Sequence, residues 1–499
     1  MKERSRVSST IASGTLWNLL GQAMPALAAL FAIPVLVRQL GTDRFGILTL
    51  AWALIGYFGL FDLGLSRALT KVVAERLAPN ARRDIARLVW TALYLMTCLG
   101  TIGALAFAAL SPWLVHHALR VPTDLERETE YAFLILASCI PVVVASAGLR
   151  GVLEAQLRFD LTNAVRIPFG VLTFLAPLAV LPFSRSAFAV VSVLALTRVL
   201  SAILHLWLCI RLMPEMHHTW KPDVATLGPL LRFGSWMTVS NVVSPLMVTL
   251  DRFVIGAAIS VSAVAYYSTP YEVVTKLLLI PSALVGVLFP AFSATFAHDR
   301  ARTGRLFRRG TKLLLLALFP VTLVMVTFAH EGLALWLGGD FADKSTPVLQ
   351  LLAIGVFLNG LAHVPFALVQ GVGRPDLTAR LHLAELPLYL AGLWFLTTSQ
   401  GIRGAAIAWT VRAATDAVVL FAVANRSTYG GETTTKWAVL ASSASLLIFG
   451  FGLNGLDIRA RTLMALFVLA AFAPVGWYKL LSGEDRTLIS NGLKILRLI

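Results

Sequence analysis

Apolar residues along this chain do not alternate with polar ones. They run on in blocks of about 20 residues or more, longer than the one-face stripe of a surface helix. A hydrocarbon core takes roughly 20 residues at about 1.5 Å rise each, so these blocks predict membrane-crossing helices. Hydropathy and loop punctuation together predict about 14 of them. They fall at residues 11–38, 46–72, 88–112, 130–153, 161–183, 187–211, 231–258, 263–296, 311–331, 347–371, 378–399, 404–425, 436–454 and 461–481. The connections are short throughout, and none is long enough to fold as a separate soluble domain. The expected class is an all-α polytopic membrane protein.

The seventh and eighth spans depart from the pattern. The first carries Asp251 and Arg252, the second Glu272 and Lys276, with Pro270, Pro281 and Pro290. An ionised side chain at membrane depth costs about 2.5–3.5 kcal/mol on insertion scales, so such residues normally face a polar interior or a partner. Proline is tolerated there only where neighbours re-satisfy the freed carbonyls. These two helices are expected to line something wet.

Composition agrees with the class: 57% of the 499 residues are hydrophobic and 14% charged. The basic N-terminus leads into an apolar run, Ile11–Val37, holding Asn18 and Gln22. A signal peptide's apolar centre is only about 7–15 residues, so this run is kept as the first span. Cys98, Cys139 and Cys209 each lie within an apolar run without metal-ligand spacing, and packing is their expected role.

Charge sets the orientation. Lys2, Arg4 and Arg6, then Lys71, Arg76, Arg82, Arg83 and Arg87, then Arg300, Arg302, Arg305, Arg308, Arg309 and Lys312 fall on one side, while the loop after Glu331 holds Asp340 and Asp343 against Lys344. The positive-inside rule then puts both termini in the cytoplasm. Much of the net charge of +16 follows from topology and from anionic membrane lipids, and nucleic acid is not an expected partner.

The chain also repeats itself at an offset of about 215–220 residues. Arg158-Phe159-Asp160-Leu161-Thr162 opens the fifth span and Arg374-Pro375-Asp376-Leu377-Thr378 the eleventh; Trp17 answers Trp236, and Thr197-Arg198 answers Val411-Arg412. Six spans per half is even, so the repeat is parallel. The expectation is two pseudo-symmetric six-helix lobes, residues 1–212 and 213–427, plus two C-terminal helices in 428–499. Two such lobes around a central cavity make an alternating-access transporter the default.

Leu40-Gly41-Thr42-Asp43-Arg44-Phe45-Gly46, Asp62-Leu63-Gly64-Leu65, Leu250-Asp251-Arg252 and Ala265-Tyr266-Tyr267 carry a resemblance. Over its first twelve spans the chain resembles the Wzx-type polysaccharide repeat-unit flippases of the multidrug/oligosaccharidyl-lipid/polysaccharide exporter superfamily. The resemblance implies a fold like that of the MATE exporters and MurJ. It implies movement of an undecaprenyl-diphosphate-linked glycan from the cytoplasmic to the periplasmic leaflet of the bacterial inner membrane. It also implies polysaccharide polymerase and chain-length machinery as partners. In the related lipid II flippases the two added helices help form a groove for the lipid tail, an analogy here.

Residue chemistry supplies the candidates. Arg198 lies about 11 residues, or roughly 16 Å of helix, from either end of its span, too deep to snorkel. Arg412 has Asp416 one turn on, which reads equally as a buried ion pair. Guanidinium forks suit a diphosphate because they donate paired hydrogen bonds to its oxygens. Glu272 and Lys276 face each other at i,i+4 and can neutralise one another. Asp62 and Arg67 sit on different faces, and each needs a partner elsewhere. Gln22, Asn18, Asn241 and Gln370 are candidates for sugar hydroxyls or helix bridges. Asp251, expected to look into the second lobe's cavity, and Asp416 are candidates for coupling to H+ or Na+. His205 and His363 are ordinary core histidines or titrating groups. His116, His117, Asp124, Glu126 and Glu128 read as a solvated connection.

Three functions stay open: a lipid-linked oligosaccharide flippase, a multidrug exporter, and a membrane enzyme of polysaccharide assembly. The exporter should present acids to bind cations, and the enzyme should present a catalytic group on a larger outward loop than Trp113–Glu128. No stretch reads G-x-x-x-x-G-K-[ST], so no nucleotide-driven cofactor chemistry is expected, and energy must come from a gradient, the membrane potential or product consumption. Reporter fusions test the topology: a fusion after Asp340 should report periplasm and one after Arg305 cytoplasm. Reversed signals would overturn the orientation.

Overall fold

The computed structural model describes residues 2–62, 64–75, 82–156, 158–217, 219, 247, 249–296, 298–427, 433–452, 455–481, 483 and 486. Every regular element among them is helical, and 10 helices are long and apolar enough to cross a membrane. Helix α1 (Lys2–Tyr57) holds the first expected span and the start of the second, broken at Gly41 (φ 77°, ψ 167°). A 3₁₀ turn at Phe58–Asp62 and α2 (Leu65–Glu75) complete the second. The third to sixth spans are α3 (Arg82–Trp113), α4 (Glu126–Ala155), α5 (Phe159–Val180) and α6 (Ala187–Leu212). Most of the seventh span, with Trp236 and Asn241, lies outside the described residues.

The eighth span is two helices, α7 (Val261–Thr275) and α8 (Leu279–Phe296), joined by a 3₁₀ turn at Lys276–Leu278. Pro281 explains the break: its ring clashes with the carbonyl four residues back, at Leu277, and it offers no N–H. Next come α9 (Arg300–Thr327), α10 (Ala329–Leu337) and α11 (Gly339–Gly371). The eleventh and twelfth spans are one long element, α12 (Pro375–Ser427), reversed at Gly401 (φ 65°, ψ −148°). Helices α13 (Thr433–Leu447) and α14 (Ile458–Val475) each run on into a short π turn. The breaks at Gly41 and Gly401 need glycine, because a side chain in that left-handed extended region costs about 1–3 kcal/mol.

Contacts divide the chain into two compact units, Met1–Ala265 and Tyr266–Ile499. In the first, α4 packs against α2, α3 and α6, and α5 packs against α1 and α6. The interior is dense: a methyl on Gly100 would come within 2.6 Å of the Pro141 backbone. The described end of the seventh span belongs to this unit, where the Arg120 N–H donates to Gly256 O at 2.9 Å. In the second unit α11 is the hub, packing against α8, α9, α10 and α12. Helix α14 docks there through Phe472 on Phe319 (centroids 4.6 Å apart) and through Arg461, which pairs with Glu331 and donates to Thr327 O. Large apolar side chains such as Phe31, Leu105, Phe183, Leu335 and Phe467 are left exposed, as a lipid-facing surface requires.

The internal repeat is visible as shared local chemistry. Arg158 forks onto Asp160 (3.0 and 2.8 Å) at the start of α5, and Arg374 onto Asp376 (3.1 and 3.4 Å) at the start of α12. His116 holds Glu126 and Glu130 in the first unit, and His330 holds Asp343 in the second. The connection around His116 is therefore tied down rather than merely solvated.

Candidate functional site

Two charged clusters lie inside the helical units. In the first unit, Arg198 projects from α6, and its Nη2 donates to Thr173 Oγ1 of α5 at 2.9 Å. Its Nε is buried without a hydrogen-bond partner, and no carboxylate among the described residues pairs with it. His205 lies seven residues on, about two turns and the same face of α6. Its Nδ1–H donates to Ser201 O at 2.8 Å, while Nε2 is buried and unpaired. Arg150 lies close enough for its field to reach both His205 and Arg166 of α5. Glu154 is the acid beside them, 3.7 Å from Arg150. The first unit thus holds a buried arginine, Arg198, and a separate basic group of Arg150, Arg166 and His205 with Glu154 beside it.

The second unit is built differently on the equivalent hairpin of α12. His382 and Glu385 stand one turn apart on its first limb, with Arg412 and Asp416 on its second. One donor atom from each of His382, Glu385 and Asp416 lies within 4.8 Å of the others. His382 Nε2 is 3.9 Å from Asp416 Oδ1, and its ring lies nearly parallel to Phe366. The i,i+4 ion pair read between Arg412 and Asp416 is not formed. Arg412 instead sits over two rings, Tyr389 at 5.4 Å and Trp409 at 5.7 Å, and its Nε has no hydrogen bond. Cation–π contact of this kind is worth about 0.5–2 kcal/mol, and it leaves both Glu385 oxygens and Asp416 Oδ1 without a hydrogen bond. At the offset that carries Arg158 onto Arg374, His382 answers Arg166 and Glu385 answers Phe169. The same scaffold therefore holds base in one half and acid with imidazole in the other.

The other candidates fall differently. Asp62 caps α2: Oδ1 accepts the Gly64 N–H at 2.7 Å and Oδ2 the Ser66 hydroxyl at 2.5 Å. Its expected need for a distant partner is met within four residues. Arg67 is exposed on α2. Glu272 and Lys276 pair with each other at 3.4 Å. Asp251 is fully buried. It accepts the Arg252 N–H at 2.8 Å, and the pair lies beside Tyr57 of α1, which hydrogen-bonds Thr249. His363 donates to Asn359 O at 2.8 Å as a core histidine does, although its field also reaches Asp416. The side chains of Asn18 and Gln22 lie outside the described residues. His382, Glu385, Tyr389 and Trp409 were not candidates from the sequence; the signal was an imidazole and a carboxylate three apart within an apolar run.

Residues 11–296 match the family of polysaccharide biosynthesis proteins. A putative O-antigen transporter of Shigella flexneri is 33% identical over 82% of the chain and 97% of its own length. The lipopolysaccharide biosynthesis protein WzxC of Escherichia coli is 22% identical over 76% of the chain and 74% of its own. Among solved structures, the lipid II flippase MurJ in an inward closed conformation superposes with TM-score 0.70 at 12% identity, covering 93% of the chain and 98% of MurJ. An inward-facing MATE transporter of the MOP superfamily superposes with TM-score 0.67 at 15% identity, over 86% and 98%. The likeness to the last two is one of fold.

The cap at Asp62 gives a direct test. Asp62→Ala removes two acceptors from a buried helix start and should cost about 1–2 kcal/mol, read as a lower melting temperature of purified protein. Asp62→Asn keeps an acceptor and should lose much less; equal losses would speak against capping as the role.

Proposed function

The chain belongs to the family of polysaccharide biosynthesis proteins, and we propose that it is a flippase for undecaprenyl-diphosphate-linked oligosaccharide repeat units. It moves them from the cytoplasmic to the periplasmic leaflet of the bacterial inner membrane by alternating access, with both its termini in the cytoplasm. Polymerase and chain-length machinery take the product at the outer leaflet. The observation that carries this reading is Arg198, a buried guanidinium that lacks a counter-charge among the described residues. A diphosphate supplies that charge, and the planar fork can donate two parallel hydrogen bonds to its oxygens. Arg150, Arg166 and His205 draw the head group toward Arg198. Arg412, whose Nε also lacks a hydrogen bond, is the second half's candidate for the same fork-to-phosphate contact once it leaves its rings.

Coupling falls to the other cluster. Glu385 and Asp416 are buried carboxylates that a cation, H+ or Na+, neutralises in one stage of the cycle and releases in another. Asp251, tied to Arg252 and Tyr57, is the weaker candidate because its surroundings already hold it.

Charge-assisted bonds are worth about 1.5–3 kcal/mol each, so Arg198→Ala should lower flux by roughly 10- to 100-fold. Arg198→Lys keeps charge but loses the fork and should fall between Ala and wild type. Complementation of a flippase-deficient strain, with membrane protein levels matched, reads this; full surface polysaccharide with Arg198→Ala would refute the clamp. For coupling, Asp416→Asn and Glu385→Gln should abolish gradient-driven uptake in vesicles while leaving folded protein. Unchanged ion dependence in both would remove the cluster from the mechanism.

A further inference from the structure

Three donor atoms in the second unit are too far apart to hydrogen-bond and close enough to share an ion. His382 Nε2 and Asp416 Oδ1 are separated by 3.9 Å, and with the Glu385 carboxylate all three fall within 4.8 Å of one another. Glu385 is only 8% exposed, yet neither carboxylate oxygen has a hydrogen-bond partner. Asp416 is 5% exposed, and its Oδ1 likewise has none. Leaving such oxygens unsatisfied costs at least about 1–3 kcal/mol each, more when ionised, so the arrangement calls for something between them.

The donor set says what. An imidazole nitrogen with two carboxylate oxygens suits first-row transition metals, zinc included. Calcium wants six to eight oxygens and magnesium a near-ideal octahedron, for which these three donors are too few and one is of the wrong kind. Three protein ligands with a fourth position open is the usual arrangement of a non-structural zinc site, with bonds of about 2.0–2.2 Å. The donors then have to close to about 3.4 Å from one another, which side-chain rotation of Glu385 and Asp416 allows. The His382 ring is held flat against Phe366, and its side chain is 21% exposed, which gives a metal a way in. The other charged groups whose fields reach the cluster are Arg412 and His363. Arg412 is turned onto Tyr389 and Trp409, and the His363 Nδ1–H is spent on Asn359 O.

We propose that His382, Glu385 and Asp416 form a binding site for a divalent transition-metal ion of the zinc class, and that its occupancy arrests transport. The first part stands on the donor geometry alone. The second rests on the coupling role proposed above, since a metal held by Glu385 and Asp416 leaves no place for the coupling cation.

The test uses purified full-length protein and Co(II) as a visible probe. Wild type should bind Co(II) at a single saturable site, with the intensified visible bands of a low-coordinate ion, and Zn(II) should displace it. His382→Ala and Asp416→Asn should each weaken binding by about 100-fold or more, since each removes a direct ligand where even outer-shell changes cost 10–100-fold. His382→Gln and Glu385→Gln, closer in size, decide the matter if the first pair fails to fold. A spectrum that stays that of aqueous Co(II) at millimolar metal overturns the site. So does unchanged affinity in the folded variants, which would place the metal elsewhere. In vesicles, Zn(II) at saturating concentration should lower wild-type flux by about 10-fold or more, and a chelator should restore it. Binding without inhibition upholds the site and refutes the coupling role. Absent binding with gradient drive still lost in Asp416→Asn does the reverse.

Discussion

Arg198 stands where α4, α5 and α6 meet, with the Thr173 hydroxyl as its partner and no carboxylate paired with it among the described residues. Taking an ion out of water costs several kcal/mol even after relaxation, and an unpaired one recovers little of that. A helical unit can carry such a charge only if its packing supplies the surplus and the cost is met by a ligand at some stage of its work. The first unit has the packing for this, with α4 set against three other helices and small residues at the contacts. Under the proposed function the dependence runs both ways: without the anion the guanidinium is a liability, and without the guanidinium the anion has no depth to reach.

The second unit answers with the opposite sign on the same scaffold. Both halves start the relevant hairpin with an arginine forked onto an aspartate two residues on, so the local frame is shared. Within that frame Arg166 is exchanged for His382 and Phe169 for Glu385. The cation that would have opposed Asp416 has been turned aside onto Tyr389 and Trp409. Under the proposed function, the basic half meets the acidic head group and the acidic half meets the coupling cation.

Much of this was legible in the residues. Long apolar runs gave the helices, and the matched arginine-aspartate openings gave the repeat, because both are local properties. Arg198 stood out by depth alone. What the sequence could not give was the direction of side chains across a hairpin. Arg412 and Asp416 look like a helix-surface pair at i,i+4, but the aromatic rings packed against Arg412 are Tyr389, on the other limb of the hairpin, and Trp409, one turn back on its own. The same blindness hid the cluster: His382 and Glu385 become meaningful only when Gly401 folds the second limb back and brings Asp416 to them. Asp62 misled in the opposite sense, because a capping aspartate and a substrate-binding one look alike until the Gly64 N–H and Ser66 hydroxyl are seen on it.

The proposed step to measure is the passage of an acidic lipid head group across the membrane on the buried Arg198 guanidinium. It is tested most directly in proteoliposomes holding the full chain and one labelled polyprenyl lipid at a time, with the label quenched from outside by a membrane-impermeant reagent. Rapid exchange of a diphosphate-linked glycan between leaflets is expected, with little exchange of the same glycan on an uncharged link. Equal movement of both, or movement of an organic cation in preference to either, would contradict it.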